Sequence, residues 1–302
     1  MNLIPRKIKR LTKRALLKRG TEIKITKLGN INSIYHQNYS SDSIVNRRFY
    51  NVSAGGHSDL YVDHPYWTNL DLEGVAQMND YSIAVPQVVP YDMLFKQNLP
   101  IDNNSAEIIL SQYSIEHVPD EAAEFFFQES FRVLKSNGLL RVVAPNIDLD
   151  MRAYKNNDRS YFFWDEWYSD NPSLYGLTMP MNQASLEQVF ISHFAAHASE
   201  IHIADNPDKI GDEEFRSIIK TLTNEEVYNY CTSRCKVQIQ ENHRYNHINW
   251  WSYDKLINAL KKTGFKDVYI AGPLQSSAHI FRKDTHFEKK PNFVALTVEA
   301  IK

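Results

Sequence analysis

The run SAEIILSQYS, followed by PDEAAEFFFQESFRVL and then LLRVVAP, leaves few folds open to this chain. The first run is continuously apolar, as a central strand buried on both faces must be. The second reads as a helix, with acidic residues in its first turn where the helix dipole favours them. Gly138 punctuates the chain, and LLRVVAP is a second buried strand that Pro145 stops. Upstream, FYNVS and WTNLDL read as strands, the latter ending at Asp71, and PQVVPYDM is a third, weakened by Pro86 and Pro90. Downstream, YDKLINALKKTGF is a helix closed by Gly264. FKDVYIA and NFVALTVEAI are strands with no helix between them.

Strand–helix alternation implies a parallel sheet covered on both faces, and the final pair implies an antiparallel ending. The expected fold class is therefore α/β: a Rossmann-like doubly wound sheet, mostly parallel with an antiparallel C-terminal strand, plus a helical insertion. Residues 45–150 and 250–302 form the core in this reading. Residues 151–249, rich in Tyr, Trp, Asn and His, form a helical insertion that caps it.

The chain has 302 residues, 43% of them hydrophobic, enough for one large domain or a core with an elaboration. The formal charge of −2 hides an asymmetry: residues 1–20 hold eight Lys or Arg and no acid, which leaves 26 basic against 36 acidic residues in the remainder. In residues 1–30, Ile4, Ile8, Leu11 and Ala15 recur at helical spacing, with Leu16 and Leu17 extending the stripe. This is a basic amphipathic segment suited to an anionic membrane surface or to a nucleic-acid contact, or else a solvated or disordered tail. No run is long enough to span a bilayer and no secretory leader is evident, so a cytoplasmic location is expected, peripheral at the inner membrane face if the segment binds lipid.

Cys231 and Cys235 are too few for a disulfide framework. With His243 and His247 they have a zinc-finger composition, but the seven residues between the pairs are too few, and His193 and His197 lack the intervening Glu of a zinc protease. No metal is expected. An acidic core without an Asn/Asp-Pro-Pro-aromatic segment argues against a specific nucleic-acid partner.

In NVSAGG a strand gives way to paired glycines, whose bare backbone lets a ligand approach the main chain or simply makes a turn. Taken in order, NVSAGG, NLD, LPIDNNSAEIIL, IEHVPDE, FRVLKSNGLLRVVAPN and the terminal VALTVEAIK resemble the class I S-adenosylmethionine-dependent methyltransferases. The resemblance is greatest to a bacterial methyltransferase-11-like group with many members acting on cell-surface glycans and related sugars. It implies S-adenosylmethionine as cofactor. Main-chain amides of Ser53, Ala54, Gly55 and Gly56 would meet its methionine part, Asp71 its ribose hydroxyls and Asp92 its adenine, with Ser111 and Tyr113 beside the methyl group. Three departures stand out: Asn51 replaces a frequent acidic residue, Ser53 the first glycine, and KSNGLL the usual Pro-Gly-Gly. Asn and Ser tolerate the left-handed backbone such positions need.

Methylating a hydroxyl requires a base. His117, just past the fourth strand, is one candidate, although a Glu-His pair also suits a packed helix start; His247 is the second. ISHFAAHASEIH puts His193 and His197 on one helical face, and ENHRYNHINWW clusters His243, Arg244, Tyr245, His247 and Trp250. His193, His197, Arg244 and Tyr245 are the expected substrate contacts, since rings stack on sugar faces and Arg holds anions. The expected function is O-methylation of a sugar or glycan intermediate in polysaccharide assembly. The alternatives are a catalytically degenerate binding or scaffold protein, a methyltransferase of a non-sugar small molecule, and a dehydrogenase, against which the missing third glycine and the antiparallel ending both count.

Overall fold

The structure is a computed structural model that describes residues 31–53, 64–72, 88–162, 172–272, 274–283 and 294–302. Residues 1–30, with the basic segment, and Ala54, Gly55 and Gly56 lie outside the described residues.

Among the described residues seven strands form one sheet: β1 (Phe49–Val52), β2 (Trp67–Asp71), β3 (Val88–Pro90), β4 (Ala106–Gln112), β5 (Leu134–Pro145), β6 (Asp267–Ile270) and β7 (Ala295–Ile301), in the order β3-β2-β1-β4-β5-β7-β6. Pairings through β5 are parallel, and β7 runs antiparallel to both β5 and β6. The expected mostly parallel sheet with an antiparallel C-terminal strand is present. β3, with its proline, is an edge strand, where a missing N–H costs no ladder bond.

The helices, in chain order, are α1 (Ile31–Asn38), α2 (Ser41–Val45), α3 (Asp120–Val133), α4 (Ile147–Lys155), α5 (Leu186–Phe194), α6 (Asp212–Thr221), α7 (Asn224–Thr232), α8 (Val237–Gln240), α9 (Tyr253–Thr263) and α10 (His279–Lys283). On one sheet face, Phe126, Phe127 and Val133 of α3 and Leu256 and Leu260 of α9 pack with Val52, Ile109, Leu140 and Val298. Ser252 caps α9, its Oγ accepting from Lys255 N at 3.1 Å, and Gly264 ends it in the left-handed region at φ +114°. On the other face Tyr35, Ile44, Phe49, Trp67, Ile280 and Phe281 form a second cluster.

Ile280 and Phe281 belong to α10, so the expectation of two last strands without a helix between them is corrected. Five residues show too little periodicity to be read as a helix, and α10 is held by the burial of those two side chains rather than by propensity. A third apolar cluster sits apart from the sheet: Ile147, Met151, Phe162, Phe190, Phe194, Phe215, Tyr228 and Trp250 give the helical segment after β5 its own core.

The KSNGLL departure has a direct explanation. Asn137 takes the left-handed conformation at φ +64°, and at Gly138 a Cβ would come within 2.9 Å of the Lys135 carbonyl and 3.1 Å of that of Ala106. The turn therefore keeps one glycine where side-chain volume is excluded and uses Asn where only the backbone angle matters.

Candidate active site

The strand order reverses between β1 and β4, and in open α/β sheets ligand crevices form beyond the carboxyl ends of the strands at such a point. Ser53, leaving β1, is left-handed at φ +56° and donates its N–H to Leu70 O at 2.7 Å. Tyr113, leaving β4, is also left-handed, at φ +52°. Ser114 Oγ donates to Ser53 O at 2.5 Å, tying the two exits together. Asp71, buried at the end of β2, accepts from Leu72 N at 2.8 Å. Ser111 Oγ is enclosed and has no hydrogen-bond partner among the described residues, so the crevice holds a polar atom that a ligand can satisfy. Asn51, the other departure, donates its side-chain amide to Asn69 Oδ1 at 2.8 Å across β1 and β2.

Asp92 caps a short 3₁₀ turn, accepting from Leu94 N at 3.0 Å, and pairs with Arg244 Nη1 at 3.1 Å. The Arg244 guanidinium also lies 5.0 Å from the centre of the Phe95 ring. Arg244, expected at the acceptor, thus reaches the strand-end residue assigned to adenine. Tyr245 is 52% exposed. Burial and then the Asp71 carboxylate hold its hydroxyl above the usual phenol range.

Beyond β4, His117 closes the 3₁₀ turn Ile115–His117. Its ring centre lies 4.8 Å from that of His247, which is 5.5 Å from that of His193. Three histidines from separate parts of the chain therefore converge. Burial, then His117 and His193, push the His247 imidazole well below its ordinary range, so it stays neutral. His193 Nδ1–H donates to Asp150 Oδ2 at 2.5 Å, and Tyr161 OH donates to Asp150 Oδ1 at 2.7 Å. With Nδ1 so engaged, Nε2 of His193 carries the lone pair.

His197 does not join them. The helix stops at Phe194, and Ala196–Ala198 form a 3₁₀ turn, so His193 and His197 do not share a helical face. His197 is fully buried against His202 and His243. The expectation that it contacts substrate is corrected: Ala195, at φ −136° and ψ 55°, redirects the chain before that face can continue.

Two partners escaped the sequence reading. Glu116 was visible only as the neighbour of His117. Asp150 leaves one local trace, an acid among the buried positions Ile147 and Met151 of α4. Cys231 and Cys235 do not gather with His243 and His247 as a ligand set: burial raises both thiols, that of Cys235 to about 12, and His247 faces Glu116 instead.

Residues 71–142 match the family model Methyltransf_11, described as a methyltransferase domain. No curated protein matches the chain. Among solved structures it is similar to S-adenosylmethionine-dependent methyltransferases from Thermotoga maritima (12% identity, 84% of this chain and 82% of that one, TM-score 0.37), Mesorhizobium loti (11%, 84% and 90%, 0.38) and Archaeoglobus fulgidus (11%, 84% and 85%, 0.35). At such scores the fold rests on the sheet order itself.

Proposed function

We propose that this chain, which carries a methyltransferase domain using S-adenosylmethionine, O-methylates a small polyhydroxylated acceptor, a sugar or glycan intermediate. The observation that carries the hydroxyl acceptor is the chain Tyr161, Asp150, His193 beside His247 and His117. An alcohol is a poor nucleophile until its proton is taken, and this arrangement supplies a fixed base. His193 Nε2 takes the acceptor's proton, and the Asp150 carboxylate offsets the charge that appears on the ring. We place the base at His193 rather than at His117 or His247, because a carboxylate oxygen of Asp150 lies within hydrogen-bond distance of its Nδ1.

Asp71, Asp92, Ser53, Ser111 and Tyr113 are the described residues that would hold the cofactor. When bound, it supplies a methyl group on a sulfonium, which the acceptor oxygen takes by in-line displacement while the sulfur–carbon electron pair stays on sulfur as a thioether. The exposed ring of Tyr245 suits a sugar face. The basic residues 1–20 suit an acceptor held on lipid at an anionic membrane face.

Isothermal titration of S-adenosylmethionine, with Asp71→Ala alongside, tests the cofactor site: binding by the wild type and at least a ~100-fold loss in the variant are expected, since a buried carboxylate bridging two hydroxyls makes charge-assisted bonds. Turnover against nucleotide sugars, lipid-linked sugars and amines then tests the acceptor class. Methylation of amines alone would overturn it.

A further inference from the structure

Glu116 is buried, its side chain 2% exposed, and neither of its carboxylate oxygens has a hydrogen-bond partner among the described residues. A carboxylate taken from water with no well-formed hydrogen bond is costly. The side chains around it present lone pairs. His117 Nδ1–H donates to Asn246 O at 3.1 Å and His247 Nδ1–H donates to His193 O at 2.6 Å, which leaves Nε2 of each ring as the basic atom. His247 Nε2 lies 4.0 Å from Glu116 Oε1, and one ligand atom from each of the three residues lies within 4.8 Å of the others. Two imidazole lone pairs and a carboxylate facing one another form a donor set suited to a cation.

We infer that Glu116, His117 and His247 bind one divalent transition-metal ion. Carbonyl oxygens holding Nδ1 of metal-binding histidines are the usual outer partners that fix tautomer and ring direction. The backbone around the site is fastened as a preformed site requires. Ile248 N and Asn249 N donate to Glu116 O at 2.9 and 3.1 Å, Gln240 Nε2 donates to His117 O at 2.9 Å, and Ala196 N donates to His247 O at 2.8 Å. Bonds of about 2.0–2.2 Å put ligands on one ion roughly 3–4 Å apart, so binding draws the most widely spaced ligand atoms together by roughly 1–2 Å. Two imidazoles with one carboxylate suit zinc, iron(II), cobalt(II) or manganese(II) better than magnesium or calcium, and three protein ligands leave positions open. This proposal departs from the sequence expectation of no metal.

The role of the ion, unlike its binding, rests on the methyltransferase reading. The ion would lower the pKa of an acceptor hydroxyl bound in an open position, and His193 Nε2 would take the proton as the O–H bond breaks, leaving the oxygen lone pair to attack the methyl group.

The test uses full-length protein stripped with chelator and titrated with cobalt(II), followed by its visible absorption and by calorimetry, and with zinc, followed by melting temperature. One ion per chain is expected, with Glu116→Gln, His117→Ala and His247→Ala each weakening it at least ~100-fold, beyond the 10–100-fold of an outer partner, while His243→Ala binds as the wild type does. If a variant does not fold, zinc protection of His117 and His247 in the wild type against diethyl pyrocarbonate, located by mass spectrometry, decides. No saturable binding, equal binding by all variants, or absence of protection would overturn the site. Cofactor titration in parallel separates the readings: metal binding without S-adenosylmethionine binding keeps the site and removes the methyltransferase role, whereas turnover insensitive to chelator removes only the role of the ion.

Discussion

Asp150 holds two side chains at once, Tyr161 on Oδ1 and His193 on Oδ2, and so sets both the tautomer and the direction of the ring proposed as base. Asp150→Asn keeps the size of the side chain but removes the charge that stabilises a protonated His193. Turnover is expected to fall about 10²–10⁴-fold, the range of a positioned general base, with affinity for S-adenosylmethionine by calorimetry within about twofold of the wild type. Unchanged turnover would show that the proton goes elsewhere. The other histidine group has a different consequence. His197 and His202 are enclosed, and burial, with the neighbouring His243, holds their pKa values at about 3 and about 4. An unfolded chain protonates histidine near pH 6.5, so below that it binds protons the fold excludes. Stability is therefore expected to be complete above about pH 6.5 and to fall as pH drops toward 4, read as the urea midpoint at pH 7.5, 6 and 5. A midpoint constant over that range would contradict neutral buried rings.

Arg141 on β5 and Glu299 on β7 meet at 2.6 Å where the sheet turns antiparallel, with both side chains buried. Gln275 O takes another guanidinium N–H at 2.8 Å, and Tyr269 OH and Ser277 N donate to Glu299 Oε2 at 2.5 and 3.1 Å, so the pair is satisfied on all sides. Removing one partner leaves the other charge uncompensated in a low-dielectric site. Glu299→Ala is expected to cost about 3–5 kcal/mol by denaturant unfolding; a loss under about 1 kcal/mol would place water at the pair. The strands themselves were legible because buried parallel strands write themselves as uninterrupted apolar runs, as in SAEIILSQYS and LLRVVAP. α10 was not, because its reason to be helical is the pocket that receives Ile280 and Phe281, which lies in residues far away in the chain.

At the scale of the whole molecule, the helical segment reaches back to the sheet through Arg244, which pairs with Asp92 and covers Phe95. That contact links the segment to the turn after β3, where the cofactor's adenine is proposed to lie. Arg244→Ala is expected to weaken S-adenosylmethionine binding several-fold, in keeping with ~1 kcal/mol for a partly exposed pair, with turnover at saturating cofactor little changed; a loss confined to the acceptor KM would return Arg244 to the substrate. The sequence alone determined the α/β class, the antiparallel ending, the left-handed tolerance at Ser53 and Asn137, and the strand-end place of Asp71, because each depends on residues within a few positions of one another. Only the tertiary structure decided that His117 and His247 face a buried Glu116, that His193 leans on Asp150, and that His197 is shut away. Those partners are 129 residues apart for His117 and Asn246 and 43 for His193 and Asp150. Local periodicity reports how a backbone runs, whereas the charge state and partners of a side chain are set by whatever the fold brings against it.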